Sequence, residues 1–129
     1  MKIERFEDLE CWKEARKLVK MIYRAIKNSK AFQKDYRLTN QSTGSGISVM
    51  NNIAEGWTSQ SNPELMRFLK YSRRSCAEVQ NCFYIALDLN YVTQKTFKEI
   101  YSQALKVIQI VDGLLRYLRS QRTKRSKRS

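Results

Sequence analysis

Lysine and arginine side chains recur along this chain at spacings that suit contacts with phosphate groups. Between residues 13 and 27 they follow one another at intervals of four, three, four and three residues, which places them on one side of a helix. This first set comprises Lys13, Lys17, Lys20, Arg24 and Lys27. Acids are sparse beside it. The set therefore predicts a phosphate-binding surface, whose affinity would fall with added salt because binding releases counterions.

Two further basic sets follow. One lies within two helical turns and contains Arg67, Lys70, Arg73 and Arg74. The other occupies the last residues, has no acid, and contains Arg119, Arg122, Lys124, Arg125, Lys127 and Arg128. The net charge is +13, from 25 basic and 12 acidic residues, and +7 remains without those six. Such an excess repels itself unless a polyanion offsets it. Nothing in the pattern predicts recognition of particular bases.

Signs of catalysis are few. The chain has no His, which excludes Ser-His and Cys-His nucleophile pairs. Glu55 and Glu78 could in principle hold a divalent metal as a nuclease would, but the sequence favours carboxylates hydrogen-bonded to neighbouring polar side chains. The three cysteines have no pairing or zinc-binding signature and are expected to be reduced and buried. We therefore expect no catalytic residue, no metal and no cofactor.

Apolar residues recur every three or four positions in four segments, which is typical of amphipathic helices packed together. The first helix has Asp8 as its expected N-cap and an apolar stripe formed by Leu9, Trp12, Ala15, Val19, Ile22 and Ile26. The second begins near Asp35 and ends between residues 56 and 61. It contains a run of small residues, 42–46, where either the helix is interrupted or another surface packs closely.

The third helix begins at Asn62, as cap, and Pro63, and it closes near residues 90–91. The fourth opens at Thr93 or at the capping-box pattern of residues 96–99, and its apolar pattern stops at Leu118. These segments predict an all-α protein: an antiparallel up-down four-helix bundle over residues 1–118 and a flexible basic tail over residues 119–129. No apolar run is long enough to span a membrane, and no signal peptide precedes the bundle, so we expect a cytoplasmic protein.

Several stretches together resemble a known family. They are residues 6–13, 36–41, 48–56, 68–69 and 75–78, of which the Asn-Ile-Ala-Glu-Gly string at 52–56 is the most specific. The pattern resembles the four-helix-bundle proteins encoded in intervening sequences of 23S ribosomal RNA genes. That grouping includes the accessory variability proteins of diversity-generating retroelements. Many relatives carry basic and Ala-rich residues where this chain has 42–46, so a phosphate contact there does not transfer.

The resemblance implies a non-enzymatic basic protein that assembles as a homopentamer. It further implies binding to RNA or DNA and, for the retroelement members, association with a reverse transcriptase. The family signature also has a structural interpretation from spacing alone, because Asn52 and Glu55 lie three residues apart, as do Ser75 and Glu78. We expect a buried polar layer that fixes helix register and is formed by Asn52, Glu55, Ser75 and Glu78.

The leading hypothesis is thus a nucleic-acid-binding accessory protein that acts with a reverse transcriptase or bound to ribosomal RNA. The alternative is an assembly scaffold that binds an acidic protein partner and no nucleic acid. A membrane surface is disfavoured because the bundle core uses the apolar helix faces that a membrane would need.

Overall fold

The computed structural model describes residues 2–128, and the side chains of residues 2–121. Most of this part of the chain is helical. In chain order the elements are a 3₁₀ turn at Phe6–Asp8, α1 at Glu10–Lys27, α2 at Lys30–Lys34, α3 at Tyr36–Thr58, α4 at Asn62–Asp88 and α5 at Gln94–Arg128. The all-α prediction is confirmed. The apolar pattern predicts the four long helices and gives no sign of α2, which is too short to show a periodicity.

Each of the four long helices packs against two of the others. α1 packs on α3, α3 on α4, α4 on α5, and α5 returns to α1. The connections are short, so neighbours in the chain run antiparallel and the predicted bundle is confirmed. α1 and α4 therefore lie at opposite corners, each between α3 and α5. This arrangement decides which surface residues can act together.

The core-facing side of α1 differs in part from the predicted stripe. Ala15, Leu18 and Ile22 are fully buried, whereas Val19 is only half-buried. Glu14, a charged residue, also lies on the buried side. The core position predicted for Val19 is thus taken by Leu18, because two adjacent apolar residues fit the same three- and four-residue spacing almost equally well.

Two helix starts agree with the sequence. The Asp35 carboxylate accepts a hydrogen bond from the backbone N–H of Leu38 at 3.0 Å, as an N-cap of α3 should. The Thr93 hydroxyl accepts from the N–H of Thr96 at 3.1 Å. Thr93 is therefore the cap of α5, and the first of the two predicted starts is correct.

Two other starts differ from the sequence prediction. Ser61, not Asn62, caps α4, because its hydroxyl accepts from the N–H of Glu64 at 3.3 Å and Asn62 is already helical. Asp8 does not cap α1. Its carboxylate accepts from the backbone N–H groups of Glu4 and Arg5, at 3.0 and 3.1 Å, and it closes the 3₁₀ turn before α1 instead.

The run of small residues at 42–46 lies inside an uninterrupted α3. A Cβ atom added to Gly46 would lie 2.7 Å from the Cδ1 atom of Ile22 on α1, which is too close. Gly44, on the other side of the helix, has nothing within 4 Å of such an atom. Of the two predicted alternatives, close packing is therefore correct, and it concerns Gly46 alone.

The last helix continues beyond the bundle core. Leu115 and Leu118 are its final buried apolar residues, and the helix itself runs to Arg128. The side chains of residues 122–129 lie outside the described residues, so the flexible basic tail predicted for residues 119–129 stays a prediction. The apolar pattern places the end of the core correctly at Leu118.

Candidate nucleic-acid interface

The basic residues of α1 project from the side opposite its buried face. Residues 11, 15, 18 and 22 face the core, so positions half a turn away point outward. The structure adds Arg16 to the five residues found from spacing; it is exposed and stands four residues before Lys20. We call this surface the α1 row: Lys13, Arg16, Lys17, Lys20, Arg24 and Lys27. All are exposed except Lys13, which is half-buried.

One acid lies beneath the α1 row. Glu14 is 4% exposed, and its carboxylate oxygens lie 3.0 Å from the Nζ atom of Lys17 and 3.1 Å from that of Lys106 on α5. The side chain of Gln103 donates to it at 3.1 Å. The Gln103 hydrogen bond, followed by those from the two lysines, lowers the pKa of Glu14 to about 2. Its negative charge is therefore fixed at neutral pH and shared between two ammonium groups.

The rest of the α1 row has no such partner. Within the described residues, ion pairs are absent from Lys13, Arg16, Lys20, Arg24 and Lys27. From residue 13 to residue 27 the helix rises by about 21 Å, at ~1.5 Å per residue. Over that length a nucleic-acid duplex carries about a dozen phosphate charges. The row is therefore a rigid line of available cations on the scale of a nucleic-acid backbone.

Most of the basic residues of α4, unlike most of those of the α1 row, contact acids or aromatic rings of the protein itself. Arg67 pairs with Glu64, with 2.7 Å between Nη2 and Oε2. Its guanidinium also lies 4.7 Å from the ring centroid of Phe68 and 5.5 Å from that of Tyr71. Cation–π contacts of this kind hold the group against its own helix. Arg67 is thus oriented by α4 itself.

Two more of the basic residues on α4 have partners. Arg73 reaches across to α5, where its Nε atom lies 2.8 Å from the Oδ1 atom of Asp112. Arg74 lies over the ring of Tyr71 at 5.7 Å. Lys70 is exposed and, among the described residues, forms no ion pair. The α4 cluster, defined as Arg67, Lys70, Arg73 and Arg74, therefore serves in part to hold the bundle together.

The fold keeps the two basic surfaces apart. α1 and α4 occupy opposite corners, so the α1 row and the α4 cluster face different directions. The third predicted set begins with Arg119, which is exposed on α5. Its other members lie outside the residues whose side chains are described: Arg122, Lys124, Arg125, Lys127 and Arg128.

The predicted polar layer lies between α3 and α4 in altered form. Ser75 donates to the Ser48 hydroxyl at 2.9 Å, and the Asn52 amide donates to the same hydroxyl at 3.0 Å. Glu78 accepts from Ser45 at 3.2 Å. Asn52, Ser75 and Glu78 thus contribute to this seam, but only Ser75 is fully buried.

The predicted burial of Glu55 is wrong. Its side chain is exposed, and so is that of Glu78, so neither carboxylate belongs to a buried layer. The spacing of three residues from Asn52 places Glu55 on the solvent side of the seam. The hydroxyls of Ser45 and Ser48, which were not among the four predicted residues, complete the hydrogen bonds of the seam.

No cluster of three or more His, Cys, Asp or Glu side chains among the described residues could hold a metal ion. Cys11 and Cys76 are buried, and burial raises the pKa of these thiols to about 11 and about 12. Both are therefore protonated at neutral pH and unreactive. In the same part of the chain, no helix combines the length and the apolar character that crossing a bilayer requires.

A second surface stands out because it lacks charge. Residues 40–54 of α3 contain no Lys, Arg, Asp or Glu, although 29% of the chain is charged. The outward positions carry small, amide or aliphatic side chains, among them Gly44, Ile47 and Asn51. Ile47 is 41% exposed. Depletion of charge around an exposed aliphatic residue is typical of the centre of a protein–protein contact.

Comparisons with known proteins bear on the whole bundle. Residues 7–113 match the family described as 23S rRNA-intervening sequence protein. No curated protein matches the chain. The fold is similar to the crystal structure of a protein of unknown function from the S23 ribosomal protein family of Bacteroides thetaiotaomicron, with a TM-score of 0.76 and 17% identity. That match covers 82% of this chain and 95% of the other, and at this identity it shows the fold alone.

Proposed function

The chain belongs to the 23S rRNA-intervening sequence protein family, and within that family we propose that it acts as a non-enzymatic protein that binds RNA or DNA through phosphate groups. The α1 row is the principal contact. One observation carries this proposal. The exposed side of α1 bears six cations, and among the described residues the only one that forms an ion pair is Lys17, with the buried Glu14. Phosphate contacts of this kind give affinity without base specificity.

The alternative use of the α1 row, as an ordinary solvated surface, explains less. A solvated helix face usually mixes both signs of charge, because alternating acids and bases stabilise the helix. Here the cations stand close enough to repel one another, and among the described residues only Lys17 forms an ion pair. A polyanion laid along α1 removes that repulsion.

A salt titration of binding tests the proposal. Fluorescence anisotropy with unrelated labelled RNA and DNA strands should show affinity that falls steeply with salt and depends little on sequence. Replacing Lys20 and Arg24 by Gln should reduce the slope of log affinity against log salt by about 1.4 for a single strand. The matched control replaces Lys70 and Arg74 on α4 by Gln. Absence of binding near 0.1 M salt would refute the proposal.

We further propose that copies of this chain associate through the uncharged outer side of α3, residues 40–54. The supporting observation is the charge depletion around the exposed Ile47. The subunit number, five, follows the resemblance rather than a feature of the monomer. Mass measurement in solution tests both statements: the wild-type mass should be about five times the 15.3 kDa of one chain, and Ile47→Glu should reduce it to that of one chain.

A second candidate function is that of a scaffold for an acidic protein. It is favoured by the α4 cluster, because Arg67 and Tyr71 form the kind of Arg–aromatic surface that anchors protein partners. The reverse transcriptase implied by the resemblance would be such a partner. Co-purification with a reverse transcriptase that persists after nuclease treatment, and that Tyr71→Ala abolishes, would support this function in place of nucleic-acid binding.

A further inference from the structure

A groove opens at the end of the bundle where α1 begins. It is formed by the segment before α1, the last turn of α3 and the first turn of α4, and it encloses about 610 Å³. Small-molecule sites in proteins are usually between ~300 and ~1,000 Å³. No local sequence pattern indicates this end groove, because its walls come from residues 4–7, 56–62 and 65.

The walls of the end groove combine flat apolar surface with free amides. Phe6 and Trp57 are half-buried, and the buried Leu65 also lines the groove. Gln60 and Asn62 are exposed at the opening, and within the described residues neither side-chain amide makes a hydrogen bond. Aromatic rings with free amides beside them suit a planar heterocycle that has donors and acceptors on its edge.

The charges around the end groove distinguish between the parts of a nucleotide. Glu4 and Glu7 lie on its rim, and Arg5 is 3.7 Å from the Glu7 carboxylate. Two carboxylates against one guanidinium disfavour a phosphate there. They do not disfavour an uncharged base, whose amino groups can donate hydrogen bonds to a carboxylate. The chemistry therefore fits a nucleobase and not the backbone that carries it.

An aromatic bridge connects the end groove to the α1 row. The ring centroid of Phe6 lies 5.5 Å from that of Trp12. The guanidinium of Arg16 lies over Trp12 at 5.7 Å, and Lys13 follows Trp12 directly in the chain. A strand whose phosphates follow α1 toward its N-terminus thus arrives at the end groove without leaving the surface.

We infer that the end groove takes an unpaired nucleobase of a strand whose phosphates lie along the α1 row. The inference rests on the proposed function and deepens it, because it selects single-stranded over fully paired nucleic acid. In a duplex the base faces are stacked and cannot enter a groove walled by aromatic rings. In a single strand, each base that stacks on such a ring adds affinity with little regard to sequence.

Binding to matched strands tests the inference. Three labelled probes are compared at 0.1 M salt: a single-stranded RNA, a blunt duplex of the same length, and a fully abasic phosphodiester strand of the same length. Wild-type protein should bind the RNA strand about tenfold more tightly than the abasic strand. Equal affinity for the RNA and abasic strands would overturn the inference and leave the proposed function intact. Absence of binding to all three would overturn both.

Two variants locate the effect. Gln60 has a left-handed backbone, with φ of 57°, so Gln60→Gly removes the amide without strain. Asn62→Asp keeps the side-chain shape, and an acid is favourable in the first turn of a helix. Each should reduce the RNA preference at least about threefold, whereas the control Asn81→Asp, on the exposed side of α4, should not. Unchanged preference in both groove variants would refute the assignment.

Tryptophan fluorescence gives an independent measurement. In Trp12→Phe the one remaining tryptophan is Trp57, which lines the end groove. Its emission should be quenched by the RNA strand and not by the abasic strand. If Gln60→Gly changed the mass of the particle instead of the RNA preference, the groove would be a contact between subunits and the inference would be wrong.

Discussion

The α1 row and the α4 cluster contain similar residues and differ in what surrounds them. On α4, Arg67 and Arg73 each have a carboxylate within 3 Å, and Tyr71 lies beneath two guanidinium groups. On α1 the acid that pairs with the row, Glu14, is buried. Among the described residues the other five cations of the row form no ion pair, although Arg16 lies over the ring of Trp12. Basic residues with helical spacing therefore do not by themselves identify a binding surface. The distribution of ion pairs separates cations that hold the fold from cations available to a ligand.

The largest expected effect separates the two surfaces by affinity. Replacing Lys20 and Arg24 by Glu reverses two charges of the α1 row and should weaken RNA binding about 100-fold at 0.1 M salt, because phosphate contacts become repulsions. The same change at Lys70 and Arg74 should weaken it less than about fivefold. Anisotropy titrations measure both. Equal losses would mean that total charge, and not the α1 row, determines binding.

A second prediction concerns the stability provided by Glu14, the acid beneath the α1 row. The folded pKa of Glu14, about 2, is below its usual value, so its carboxylate stabilises the fold above about pH 4.5 and ceases to as the pH falls toward 2. Glu14→Gln should therefore cost about 2–3 kcal/mol at pH 7, and the difference from wild type should shrink between pH 4.5 and pH 2. Urea denaturation at a series of pH values measures it. A difference that stays constant with pH would contradict the ion-pair account.

A pair of glycine substitutions tests how closely α1 is held. Gly44→Ala should raise stability by up to about 1 kcal/mol, because the position is open and alanine favours helix. Gly46→Ala gains the same propensity but must displace Ile22, and it should be about 1 kcal/mol or more less stable than Gly44→Ala. Thermal denaturation compares the two. Equal melting temperatures would show that α1 can move away from α3 at little cost.

The last prediction compares how the α4 cluster and the α1 row contribute to the stability of the fold. Arg73→Gln removes the pair with Asp112, about half exposed on the arginine side, and should cost roughly 0.5 kcal/mol. Lys20→Gln, on the α1 row, should leave the melting temperature unchanged or raise it slightly, since it relieves repulsion. Calorimetry on both variants measures the difference. A larger loss for Lys20→Gln than for Arg73→Gln would reverse the roles given to the two surfaces.

Much of the fold follows from local sequence. The caps at Asp35 and Thr93 and the end of the core at Leu118 need only the preferences of a few neighbouring residues. The choice between Ser61 and Asn62 does not, because both residue types cap helices well and the difference is one position in the chain. The burial of Leu18 over Val19 likewise depends on the direction in which α3 and α5 approach α1.

Part of the candidate site could be predicted from the sequence. Five members of the α1 row are visible from spacing, and Arg16 could have been found by the same rule, four residues before Lys20. The exposure of Glu55 could not, because spacing places it on a helix side without saying whether that side is covered. The end groove joins Phe6 to residues some fifty positions later, and no local pattern records that proximity.

The amphipathic helices, the strongly positive charge and the rows of cations follow from the amino-acid sequence, since these properties depend on residue type and helical period alone. Which rows stay available depends on how the helices pack. The tertiary structure placed α1 and α4 at opposite corners, drew Gln103 and Lys106 to Glu14 across 89 and 92 positions of the chain, and gave Arg73 its partner on α5. The physical reason is that burial and ion pairing depend on distances between helices, whereas periodicity depends on distances within one.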